Sequence, residues 1–123
     1  MTADRDRSVD RAQHNENLYH HLAASGTVFN DWQIVALFYA ALHYVKAYAL
    51  HKNARVPTSH EAAFAWMARE SFLKRHVAGD YAELRDRSED ARYKLVKLPP
   101  AARLYTNEYT RIKTAIQKEL GVE

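Results

Sequence analysis

Apolar residues in this chain recur every three or four positions and almost nowhere alternate, which is the spacing of helices that bury one face. Between Ser8 and Ser25, Val9, Ala12, Tyr19, Leu22 and Ala23 share a weakly apolar stripe with Glu16, which predicts a first helix ended by Gly26. The next stretch differs: "WQIVALFYAALHYVKAYAL" is apolar almost all round, as a central helix enclosed by its neighbours should be. Asn30 or Asp31 stands where that helix would be capped, with Gln33 placed for a capping box, and the helix should run to about Lys52. After the polar connector "HKNARVPTSHE", Thr58 and Glu61 repeat the capping-box spacing and open a third helix with Ala63, Phe64 and Met67 inward. That helix should break near Ser71 and finish by Gly79. Asp80 and Glu83 then start a fourth helix, which Pro99 and Pro100 end. The same prolines preset a fifth over Ala101–Leu120, with Tyr105, Tyr109, Ile112, Ile116 and Leu120 on one stripe. The expectation is one all-α domain over residues 1–123, a four- or five-helix bundle around a long apolar second helix, with residues 1–7 disordered or frayed.

Composition narrows the function classes. A chain of 123 residues with 47% hydrophobic and 27% charged residues has the size and balance of one soluble domain with its own core. The absence of cysteine excludes disulfides, thiolate metal sites and cysteine nucleophiles, and is compatible with the cytoplasmic location expected here. "MTADRDRSVDRAQHNEN" contains no apolar run of the kind a signal peptide needs. The longest apolar run carries Gln33, His43 and Lys46, which suit a buried soluble helix better than a bilayer span, so no membrane association is expected. The net charge is +3, and eleven of the eighteen basic residues are arginine. That balance permits nucleic-acid binding without demanding it, so local clustering must decide.

The densest cluster is "LRDRSEDARYK", residues 84–94. At about 100° per residue, Tyr81, Leu84, Ser88, Ala91, Leu95 and Leu98 form the inward stripe of the fourth helix. Arg85 and Arg92 flank it on one shoulder with Glu89; Arg87 and Lys94 flank it on the other, near Glu83 and Asp90; Tyr93 points outward. Two readings are open. Glu83 with Arg87, Arg85 with Glu89 and Asp90 with Lys94 have the spacing of helix ion pairs, each contributing only about 0.2–0.5 kcal/mol. Alternatively, the shoulder arginines grip phosphate while the Tyr93 ring stacks on a base.

The seven histidines show no HExxH, HxH or His-x3-His pattern, and no metal or cofactor is expected. Glu16 and His20 are four apart, but no second such pair exists to complete a helical metal site. His43 lies on a stripe with Tyr39 and Lys46, a polar seam in an otherwise apolar helix. It reads either as a core histidine bonded to a neighbouring helix or as an acid–base group. His60 reads either as a first-turn residue or as a catalytic one. A metal-free ribonuclease pairs an imidazole with a cation that stabilises the developing phosphorane charge. Arg55 with His60 and Arg69 with His76 have workable spacings, which this many arginines and histidines also produce by chance.

The order "LFYAALHYVKAYAL" in a long second helix, then "SHEAAF" opening the next, then "YAELRDRSEDARY" further along resembles HEPN domains over about Asp31–Tyr93. The resemblance implies a four- or five-helix bundle that commonly homodimerises around a cleft and binds or cleaves RNA. It often does so in toxin–antitoxin or defence systems beside a nucleotidyltransferase-type partner. Active members carry an arginine, then four to six intervening residues, then a histidine. Here Arg87 matches the arginine, but Arg92 stands at the histidine position and Tyr93 follows it, more like the branch of the family that ends in an alanine-aspartate-tyrosine style motif. Arginine cannot shuttle protons near neutral pH. What the resemblance implies is therefore binding of RNA or a nucleotide through Arg85, Arg87, Arg92, Tyr93 and Lys94. Cleavage would need His43 or His60 to act with Arg87.

Overall fold

The structure, a computed structural model, describes residues 2–52, 54 and 59–121. It is all-α. The helices are α1 (Thr2–Ala23), α2 (Asn30–His51), α3 (His60–Met67), α4 (Ser71–His76), α5 (Ala78–Tyr93), α6 (Ala101–Leu104) and α7 (Thr110–Leu120). A π-helical turn, Tyr105–Tyr109, joins α6 to α7 without a break, so six helical rods are present among the described residues. The expected third helix is two short ones, α3 and α4.

The α2 helix is the axis, as its apolar circumference requires. Ile34, Leu37, Phe38, Tyr44, Val45 and Tyr48 are buried on several sides of it, and alanines at 36, 40, 41, 47 and 49 let neighbours approach closely. Fully burying a side chain such as Phe38 contributes about 1.5–3 kcal/mol. By length and composition α2 could cross a bilayer, but 72% of its most apolar window is buried inside the fold, which marks a core helix. The α1 helix runs antiparallel to it. A turn with left-handed Gly26 (φ 78°) joins them, and Arg5 Nη1 reaches His51 Nδ1 at 3.3 Å at the far end. Residues 2–7 are therefore helical, and α1 starts well before Ser8.

Several caps differ from the sequence pattern, each because a tertiary partner competes successfully for the side chain. Gln33 donates to Gly26 O at 2.9 Å, bracing the α1–α2 turn, and makes no capping box. Asn30 leaves its own helix uncapped and clamps a distant segment. Its Nδ2 donates to Pro99 O at 3.1 Å and its Oδ1 accepts from Ala101 N at 2.8 Å, satisfying a free amide at the start of α6. The α3 cap is Ser59, whose Oγ accepts from Ala62 N; Thr58 lies outside the described residues. Glu70 caps α4 through Phe72 N and Leu73 N. Asp80 does not cap α5, which begins at Ala78; it holds Arg111 of α7 in a two-pronged pair at 2.8 and 3.0 Å.

The α5 helix stops at Tyr93, short of the prolines. Residues 94–100 are non-helical, with Lys94 and Pro100 at their two ends extended, and carry the chain to the Asn30 clamp. Leu95 thereby leaves the inward stripe and is fully exposed, while Leu98 still packs against the core.

Candidate nucleic-acid interface

The four cations of residues 84–94 do not converge. On one shoulder of α5, Arg87 sits between carboxylates, with Nε 3.7 Å from Glu83 and Nη1 3.3 Å from Asp90. Lys94 Nζ lies 3.5 Å from the same Asp90, whose side chain is largely buried. Two of the three expected ion pairs, Glu83–Arg87 and Asp90–Lys94, are thus present. Arg87 is committed to them, and its Nε is buried without a hydrogen-bond partner.

The other shoulder differs. Arg85 pairs with Asp86 at 3.2 Å, not with Glu89, and its guanidinium covers the Phe64 ring of α3 at 4.4 Å. Arg92 has no carboxylate within ion-pair range among the described residues. Its Nε donates to Ser88 O at 3.2 Å and its Nη1 to the Tyr39 hydroxyl of α2 at 3.1 Å. The guanidinium lies 5.1 Å from the Tyr93 ring centre, and that ring is 76% exposed. A guanidinium has five N–H donors in a planar fork, so anchoring it with two leaves the rest able to meet an anion.

His43 is one turn along α2 from Tyr39 and partly buried. Burial, then the charges of Lys46 and of Arg11 on α1, push its imidazole down to about 4, so it is neutral at physiological pH. It can accept a hydrogen bond there, but its lowered basicity makes it a weak proton acceptor and leaves little of the protonated form to act as an acid. His60 begins α3, and its side chain lies outside the described residues. Arg69 follows α3 and His76 ends α4, where its ring meets Phe72 at 5.1 Å; Arg55 lies outside the described residues. Among the described residues no group of three or more histidine, aspartate or glutamate side chains could hold a metal ion.

The structure thus brings Arg92, Tyr93 and, through Tyr39, the His43 face of α2 to one side, and leaves Arg87 and Lys94 on the other. Sequence reasoning placed Tyr39 on the polar seam without seeing that it would position Arg92. Their separation of 53 residues carries no local signal. It also missed Asp90 as the buried hub of the Arg87 shoulder, because 140° from the inward stripe reads as solvent. No family model matches this chain, and no curated protein or solved structure is significantly similar to it.

Proposed function

We propose that this chain is a HEPN-like module that binds RNA or a nucleotide through Arg92 with Tyr93 beside it, and that it does not cleave efficiently. The observation that carries the reading is the state of Arg92. Of the four cations in residues 84–94 it is the one without a carboxylate, and neutral acceptors hold it next to an exposed aromatic ring. Such a group is preorganised for a phosphate. Arg85 assists from the same shoulder, while Arg87 and Lys94 are tied to Asp90 and act as structural charges. Fluorescence anisotropy with short RNAs at low and moderate salt tests this, with Arg92→Ala as the decisive variant. Absence of binding at either salt by the folded protein rejects it.

A metal-independent ribonuclease is the second reading, favoured by His43 standing one turn from the tyrosine that holds Arg92. Incubation of RNA in EDTA with wild type, His43→Ala, His60→Ala and Arg87→Ala separates the two. Cleavage lost in one of the histidine variants supports the enzyme, and intact RNA throughout supports binding alone. The HEPN resemblance by itself supports the further proposals of a homodimer, a cytoplasmic toxin–antitoxin or defence role, and a nucleotidyltransferase-type partner. Light scattering and co-purification test these. A purely protein-interaction role would show instead as a partner covering α5 with no RNA bound.

A further inference from the structure

From Gln33 to Ala49 every residue of α2 is buried except Val35, Tyr39, His43 and Lys46. These four have the spacing of one helix face, and Trp32, 56% exposed, stands at its upper end. The axis of the bundle is therefore only partly covered along one line, about 21 Å from Trp32 to Lys46 at 1.5 Å per residue. Arg92 of α5 meets the line at Tyr39 with Tyr93 beside it, and Arg11, exposed on the adjacent α1, adds a charge that reaches His43. The ion pairs among the described residues leave out Arg11, Lys46 and Arg92 alike. Along the line, Trp32 stands at one end, Arg92 with the exposed Tyr93 ring comes next at Tyr39, and Arg11 and Lys46 follow toward the other end, none of the three cations in an ion pair among the described residues.

We infer that this seam is a track for single-stranded RNA, with phosphates on Arg92, Lys46 and Arg11 and unpaired bases on the Trp32 and Tyr93 rings. This rests on the binding reading proposed above and extends it to a strand geometry. Base faces are available to aromatic rings only when unpaired, whereas a duplex hides them and offers its backbone alone. A second copy of the chain is the poorer occupant. A two-fold contact sets the same patch on both sides, and would bring these unpaired cations against each other. Glu89, exposed on the Arg92 shoulder and in no ion pair, is the charge that opposes an RNA strand there.

The test compares a fluorescein-labelled oligouridylate with a duplex RNA of equal length, by anisotropy across a salt series. The full chain is used with Trp32→Ala, Lys46→Ala, Arg11→Ala, Arg92→Ala and Glu89→Gln, each checked for unchanged helical content by circular dichroism. Trp32, Lys46 and Arg11 lie outside the core, so folding should survive. Expected are preference for the single strand and a loss on the order of tenfold in Trp32→Ala, as for one stacked base. The log–log salt slope should fall by about 0.7 for each cation removed, and binding should tighten in Glu89→Gln. In a Trp66→Phe background, Trp32 fluorescence should be quenched by the oligouridylate. Loss of binding in Arg92→Ala with Trp32, Lys46 and Arg11 indifferent overturns the track and leaves the Arg92 reading standing. Duplex bound as tightly as single strand, or Trp32→Ala abolishing self-association without touching RNA affinity, also overturns it. No RNA binding by the wild type overturns both.

Discussion

Glu16 of α1 is the polar tie between the first and last helices. Its Oε1 accepts from the Tyr109 hydroxyl at 2.7 Å and from Lys113 Nζ at 2.8 Å, and His20 Nε2 lies 3.5 Å from Oε2. Tyr109 is completely buried, stacked in a column with Tyr105 and Tyr19, and the Glu16 side chain is only 12% exposed. Glu16→Ala would strand a buried hydroxyl and remove the partner of Lys113. Hydrogen bonds to charged groups contribute about 1.5–3 kcal/mol, so a loss of about 2–3 kcal/mol is expected, or roughly 6–15 °C in Tm. Glu16→Gln keeps an acceptor for Tyr109 and should lose about half as much. The assay is urea unfolding followed by circular dichroism, with the m-value as a check that the transition remains two-state. The effect has a pH signature. Burial alone would push the Glu16 carboxyl up, but the bonds from Lys113 and Tyr109 and the Lys113 charge outweigh it and hold the group below the usual glutamate range. The charge-dependent part of its stabilisation is therefore fully present above that range and is lost as pH falls through the folded-state value, where the gap between wild type and Glu16→Ala should narrow to about that between Glu16→Gln and Glu16→Ala. A difference that stays constant into acid, or one below about 0.5 kcal/mol at neutral pH, would refute the reasoning.

Other consequences follow from the same geometry. Asn30→Ala should cost about 1–2 kcal/mol by leaving Ala101 N and Pro99 O without their partner, while Asn30→Asp, which keeps the acceptor, should lose less; urea midpoints distinguish them. Arg87→Ala should lower stability by about 1–3 kcal/mol through Asp90 yet leave RNA affinity nearly unchanged, the reverse of Arg92→Ala; paired unfolding and anisotropy measurements check this. His43 has a folded pKa lowered to about 4, so the unfolded chain binds its proton first and wild type loses stability as pH falls below about 6.5. His43→Gln should remove that part of the slope, which unfolding at a series of pH values would show.

Much of the fold was legible because it rests on local spacing. The three-to-four periodicity gave the helical class, and the apolar circumference of Asp31–Lys52 gave the central helix. Gly26 marked the first turn. The boundaries that differ do so through partners distant in sequence. Asn30 prefers Pro99 and Ala101 to its own amides, Gln33 prefers the Gly26 carbonyl, and α5 ends at Tyr93, ahead of the segment that the clamp holds. The candidate interface was half legible. Helical geometry divided the α5 cations into two shoulders and put Tyr93 outside. Which shoulder holds a cation without a carboxylate depended on Asp90 being buried and on Tyr39 meeting Arg92, and neither is a local property. The partly covered line on α2 was foreshadowed by the Tyr39, His43 and Lys46 seam, but Trp32 was hidden by the apolar character of its surroundings.

The central claim is that Arg92, and not Arg87, is the phosphate grip. Its most direct measurement is the salt dependence of RNA binding for wild type, Arg92→Ala and Arg87→Ala, by anisotropy on a short single-stranded RNA. Weakened binding and a salt slope lower by about 0.7 in Arg92→Ala alone is the result predicted by this account. The same loss in Arg87→Ala with Arg92→Ala unaffected would contradict it.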